Sequence, residues 1–337
     1  MHRIAECMTA DFDCWFTPYY STGIEEILRR LYLTEMSIMG HRMVNQCLAY
    51  LKKNNLPVDY RGAKHNYDLV VTCADIVVQN NIKESKVVLV QEGMTDPENF
   101  GFRLVKMFPF LPRWIASTST FGLSNAYDLF CVASEGYKRH FTAKGIPSEK
   151  IVVTGIPNFD NCARYRTNNF PYSKFVLVCT SDARETFKFE NRKKVILDAV
   201  ALAGGRQLIF KLHPNENIER AEKEINTWAP GALVFSTGSA EEMIANCDVL
   251  ITQWSSTVYV GLALGKEVYS NFDLTELRQM IPEQNSSAAQ KIAGLCRTVL
   301  EQEEPEPLPA HAGEKFYFKT VLISYTQKFM QFFAKAS

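Results

Sequence analysis

From about residue 67 onward, short runs of β-branched and aliphatic residues alternate with stretches of helical periodicity, a pattern few architectures accommodate. The runs are YDLVV (67–71), KVVLVQ (86–91), YDLFCVA (127–133), KIVVTG (150–155), KFVLVCT (174–180), RQLIFKL (206–212), ALVFS (232–236) and DVLITQ (248–253). They are continuously apolar rather than alternating, so both faces of each strand must be covered, as in a parallel sheet packed between helices. The expected fold class is α/β and doubly wound.

A chain of 337 residues corresponds to about two domains. The polar, turn-rich segment NFDNCARYRTNNFPYSK (158–174) interrupts the strand–helix rhythm and places the boundary, giving two Rossmann-like domains over 1–165 and 166–337. DCWFTPYY (13–20) reads as a strand running into a turn, but only a short helical fragment, MHRIAECM, precedes it. The first domain is therefore expected to lack its opening strand. Residues 24–56 read as one or two amphipathic helices whose basic residues Arg29, Arg30, His41, Arg42, Lys52 and Lys53 form a solvated face. KFYFKTVLISYTQKFMQFFAKAS (315–337) reads as an amphipathic helix closing the second domain and packing across both.

Thirty-seven basic residues cancel 37 acidic ones, which argues against nucleic acid as a partner, because binding many phosphates needs a net basic surface. The nine cysteines are odd in number and scattered, several of them inside apolar runs, as reduced core thiols are. With neither a membrane-spanning stretch nor a secretory signal, the expected location is the cytoplasm, with peripheral contact at the inner face of the membrane as an option. That option rests on FGFRLVKMFPFLPRWIASTSTFG (100–122), where Phe100, Phe102, Leu104, Phe108, Phe110, Leu111 and Trp114 interleave with Arg103, Lys106 and Arg113. The stretch suits either a membrane interface or acceptor groove, or a crossover packed into the core.

Three strand ends carry candidate chemistry. KLHPNEN (211–217) follows a strand, so His213 stands at the sheet's carboxyl edge, where an imidazole N–H can bond a phosphate oxygen and Pro214 turns the chain outward. In DVLITQWSSTVYVGLALGK (248–266), Ser255, Ser256 and Thr257 open a helix after a strand, where amides and hydroxyls can cradle an anion or simply cap the helix. In VLVQEGMTDPE (88–98), Glu92 follows Gln91 and precedes Gly93, a carboxylate placed to act as general base or else an exposed loop acid. Lys211 and Arg184 in CTSDARE (179–185) are secondary candidates for countering negative charge. Gly261–Lys266 is too short for a Walker loop and is followed by Glu267, the Asp11-Phe12-Asp13 triplet is read as fortuitous, and no metal cluster or cofactor motif has credible spacing.

Together these motifs resemble bacterial GT-B transferases that use cytidine-activated donors: sialyltransferases, capsular Kdo transferases and, more loosely, CDP-glycerol glycerophosphotransferases. The resemblance covers about 174–275 and, in the first domain, only the surroundings of 86–98 and 150–160. It implies an acceptor domain followed by a nucleotide-donor domain, His213, Pro214, Ser255, Ser256 and Thr257 at the donor phosphate, Glu92 as catalytic base, and no metal or cofactor. It also implies a glycan or lipid-linked acceptor and a place in capsule or cell-envelope polysaccharide synthesis. KIVVTGIPNFD (150–160) looks like the corresponding segment of UDP-GlcNAc 2-epimerases, which places Gly155 and Asn158 near a cleft; the epimerases' acidic, Gly-rich donor loop is absent. Many relatives carry a ribose-binding acid in the helix after the serine pair, where this chain has Val260. That departure, with the short N-terminus, leaves a noncatalytic nucleotide- or glycan-binding protein as the alternative.

Overall fold

A computed structural model describes residues 1–32, 40–82, 84–98, 100–108, 111–181, 183–185, 189–301 and 319–325. Its strands are β1 (Asp13–Pro18), β2 (Leu69–Thr72), β3 (Lys86–Val90), β4 (Leu129–Val132), β5 (Ile151–Val153), β6 (Val176–Cys179), β7 (Leu208–Lys211), β8 (Leu233–Phe235), β9 (Val249–Thr252), β10 (Glu267–Tyr269) and β11 (Thr320–Tyr325). They form two parallel sheets, β1-β11-β2-β3-β4-β5 and β10-β9-β6-β7-β8. All eight apolar runs become strands. β2 and β6 are buried along their whole length, as covering on both faces requires.

The expected C-terminal helix is corrected: Thr320–Tyr325 is a strand, and the rest of 315–337 lies outside the described residues, except Lys319. The reason is burial. Val321, Leu322 and Ile323 are all fully buried, whereas an amphipathic helix would turn one of three consecutive residues toward water. β11 pairs with β1 from Asp13↔Thr320 to Pro18↔Tyr325 and with β2 from Val321↔Leu69 to Ser324↔Thr72. It therefore fills an interior slot, between β1 and β2.

Two compact units result: Met1–Asp160 together with the described residues from Asn285 on, and Asn161–Gln284. This corrects the division 1–165 and 166–337, which assigned everything after the boundary to the second domain. Sheet pairing by β11 carries the chain back, and Arg297 on the helix Ala288–Glu301 reinforces the return by bonding Asp11 Oδ2 (2.8 Å) and the Cys7 carbonyl (2.7 Å). Asp13 Oδ2 accepts from Trp15 Nε1, so both acids of the Asp-Phe-Asp triplet are engaged, Asp11 by the distant Arg297 and Asp13 by its near neighbour.

Within 24–56 the described helices are Ile24–Arg30 and His41–Lys53; the latter buries Val44, Cys47 and Leu51 and leaves Arg42, Lys52 and Lys53 in water. Arg29 and Arg30 both bond Glu26, Arg30 while remaining exposed. The 100–122 stretch is split: the helix Phe100–Met107 buries Phe102 and Val105 against Ala116, Leu111 and Leu123, while Phe100 and Met107 stay 75% and 67% exposed. Eight of the nine cysteines are buried and none is in a disulfide.

His140, in the helix Glu135–Ala143, gives the first unit a pH dependence. Burial, reinforced by the Lys144 ammonium and opposed by Glu98, holds its imidazole down at about 4. The folded state keeps the ring neutral while the unfolded chain protonates it below about 6.5. Its stabilising contribution is thus complete above about pH 6.5 and is lost as pH falls through about 4. Urea midpoints measured across this window should fall less steeply for His140→Gln than for the wild type; parallel slopes would refute the assignment.

Candidate functional site

In the second sheet, β6 lies between β9 and β7, and all three run parallel, so their carboxyl ends share one edge. β7 and β9 are two strand spacings apart, about 10 Å. β7 continues into Leu212, His213 and Pro214, and β9 into Gln253, Trp254, Ser255 and Ser256. The sheet thus brings the imidazole and the serine pair to the same edge, on either side of Thr180.

His213 is fixed at two points. Its backbone N–H donates to Glu216 Oε2 (2.9 Å) and Thr180 Oγ1 (3.0 Å). Its ring Nδ1 accepts the Asn215 N–H at 3.2 Å, so the neutral tautomer compatible with this bond carries its proton on Nε2. The half-buried ring lies beyond the strand end, and Pro214 is exposed beside it.

Beneath this turn lies a network that sequence reasoning missed. The Glu216 side chain is 0% exposed and accepts from Thr180 Oγ1, the His213 N–H and Arg192 Nη2 (2.6 Å). Arg192, 3% exposed, also pairs with Glu190, whose other oxygen accepts from Ser181 Oγ at 2.9 Å. The glutamates flanking Arg192 raise its pKa against burial, which acts the other way and is the largest single influence. One carboxylate thus ties the end of β6 to the end of β7. Glu216 stands only three residues beyond His213, but its counter-charge is 24 residues upstream, so no local pattern announces the pair.

The serine turn differs from the expected amide cradle. The Thr257 N–H donates to Ser255 Oγ (3.3 Å), the Val258 N–H to the Ser255 carbonyl (3.2 Å) and the Tyr259 N–H to the Ser256 carbonyl (3.0 Å). The amides are consumed because Ser256 is already helical (φ −64°, ψ −11°), so the chain closes on itself. The helix Thr257–Ala263 has only seven residues, and Thr257 is buried. The amides of Thr257, Val258 and Tyr259 are thus taken up within the turn, and the serine hydroxyls remain beside them. Ser255 Oγ accepts from Thr257 N and from Thr257 Oγ1 (3.0 Å), which leaves its own proton for another acceptor, and Ser256 makes no side-chain capping bond. Val260, at the ribose-acid position, is a core residue, 1% exposed.

Lys211 is buried, with Nζ donating to the Leu212 (3.0 Å) and Ser236 (3.4 Å) carbonyls, and burial lowers its pKa. Arg184 donates from Nη1 to Glu224 (2.9 Å), while its buried Nε and Nη2 have no hydrogen-bond partner among the described residues. Arg184 is thus paired with the carboxylates of Glu224 and, at 4.0 Å from Nε, Glu190, whereas Lys211 is committed to backbone carbonyls.

In the first unit, Gln91 is buried and locks the ends of β3 and β4, donating to the Gly93 carbonyl (2.8 Å) and accepting the Ala133 N–H (2.9 Å). Glu92 follows it, half-buried, and its carbonyl accepts from Asn158 Nδ2 at 3.3 Å. Gly155 at the end of β5 has φ +74°, which suits glycine. Glu92, Gly93, Gly155 and Asn158 thus gather at one edge of the first sheet.

No protein-family model matches the sequence, and no curated protein sequence matches it. Among solved structures, the chain is similar to UDP-GlcNAc 2-epimerase from Neisseria meningitidis bound to UDP-GlcNAc, with 13% identity, a TM-score of 0.51, and coverage of 85% of this chain and 100% of that one. It is similar also to S. aureus MnaA solved with UDP, with 12% identity, a TM-score of 0.52, and coverage of 88% and 100%. At such identities the likeness establishes the fold, two α/β domains of GT-B type.

Proposed function

We propose that this chain is a metal-independent, inverting glycosyltransferase that moves a sugar of nonulosonic-acid or Kdo type from a CMP-activated donor to a surface-polysaccharide acceptor. The observation that carries this reading is the single sheet edge holding the His213 ring, with its Nε2 donor, and the Ser255 and Ser256 hydroxyls. As the glycosidic bond breaks, negative charge gathers on the phosphate leaving group, and donors fixed in advance stabilise it without reorganisation. The Glu216 anchor beneath His213 supplies that fixity. Glu92 takes the proton of the acceptor hydroxyl as it attacks the anomeric carbon, giving one displacement with inversion. That structures of this fold have been solved with UDP-GlcNAc and with UDP supports a nucleotide-linked donor.

Transfer of glycerophosphate from CDP-glycerol is the second reading. The spacing of β7 from β9 across β6, about 10 Å, favours it, because a diphosphate spans that width better than one phosphate. No described helix is long and apolar enough to cross a membrane. Contact with a lipid-linked acceptor at the membrane surface is assigned to 100–114, where Phe100, Met107 and Trp114 are exposed beside Arg103 and Lys106.

Saturating CMP or CDP should raise the melting temperature by roughly 5 °C, and His213→Ala should abolish the rise. Turnover of CMP-sugar or of CDP-glycerol then chooses between the readings, and its loss in Glu92→Gln supports the assigned base. Protection by nucleotide without turnover of either donor would leave a binding protein, and no protection by any nucleotide would defeat the proposal.

A further inference from the structure

Trp254 is the residue immediately before Ser255, and its side chain is 56% exposed. Its position is nonetheless built. The Gln253 carbonyl accepts the Ser270 hydroxyl (2.8 Å) and the Asn271 N–H (3.3 Å), which ties the end of β9 to the end of β10. Ser270 Oγ in turn accepts the Phe272 N–H at 3.3 Å. Phe272 is thereby held against Trp254, ring centroids 4.8 Å apart and planes at 87°, an edge-to-face pair. Two hydrogen-bonded strand ends thus carry a braced indole that remains more than half in water, next to hydroxyls suited to an anion. Exposing so large an apolar ring is unfavourable in isolation, and bracing limits its ability to fold back onto the surface.

We infer that Trp254, supported by Phe272, is the platform on which the flat base of the donor nucleotide stacks while the phosphate is held by Ser255 and His213. The inference rests on the donor-site reading above and deepens it by assigning the nucleobase a place. An indole offers a π-face to any base and hydrogen-bond readout to none, so the platform fixes the base without choosing between cytosine and uracil. A ribose links base to phosphate, and a single peptide bond links Trp254 to Ser255 along the chain, so the two contacts can be made at once.

The test is titration of the full chain with CMP, UMP, ribose 5-phosphate and inorganic phosphate, followed by calorimetry and by tryptophan fluorescence. Trp254→Ala should weaken CMP and UMP alike by about tenfold and leave ribose 5-phosphate unchanged, while Trp254→Phe retains most of the affinity. CMP should quench the fluorescence of the wild type, and that quench should vanish in Trp254→Phe although binding persists. His213→Ala should weaken every phosphate-bearing ligand, which separates the two sites. Unchanged CMP affinity in Trp254→Ala, with His213→Ala still defective, would overturn the platform and spare the donor site. An equal loss of ribose 5-phosphate in Trp254→Ala would also overturn it, and failure of the wild type to bind any of the ligands would remove both.

Discussion

Replacing Ile323 with aspartate is expected to abolish the cooperative unfolding transition of the first unit and to leave that of the second in place. Ile323 is 0% exposed, registered with Phe16 on β1 and Val71 on β2. A carboxylate there has neither water nor a counter-charge, so it must take up a proton or incur several kcal/mol of desolvation, and with the lost isoleucine packing this consumes most of the roughly 5–15 kcal/mol by which a domain is stable. The neighbouring Ser324 provides the control. Its Oγ is buried and has no hydrogen-bond partner among the described residues, so Ser324→Ala should be neutral or stabilising by about 1 kcal/mol. Two-transition urea melts, with limited proteolysis to identify which unit opens, check both. A melt of Ile323→Asp that matches the wild type would mean that β11 does not occupy the centre of the sheet.

Glu216→Ala should cost the second unit about 3–5 kcal/mol, the range seen when one partner of a buried ion pair is removed. Arg192 would keep only Glu190, and the His213 N–H and Thr180 hydroxyl would lose their common acceptor. Glu216→Gln keeps an oxygen for the His213 N–H and should therefore lose less stability and less nucleotide protection than the alanine. The ordering, with wild type above glutamine above alanine in urea midpoint, is the measurement. An alanine variant as stable as the wild type would show that the carboxylate does not hold the two strand ends together.

The eight apolar runs were legible because burial on both faces leaves a composition that no other environment favours. β11 was not, although VLIS is as β-branched as the others: in KFYFKTVLISYTQKFMQFF the flanking aromatic residues recur near helical spacing, and the interior slot that claims the strand is formed by residues about 250–310 positions earlier. The strand-end positions of His213, Ser255 and Glu92 could be read for the same reason as the strands. Whether the first amides after Ser255 would face outward could not, because that depends on Ser256 adopting helical angles and closing the turn on itself.

By itself the sequence determined the parallel α/β class and the residues standing at the carboxyl edges, since covering a strand on both faces and reversing the chain at its end impose local chemical requirements. Only the tertiary structure decided which unit the chain's later residues join, which strand completes the first sheet, and which carboxylate anchors His213. Each of those choices pairs groups distant along the chain, and their energies arise from burial and from ion pairing that exist only once the partners are brought together.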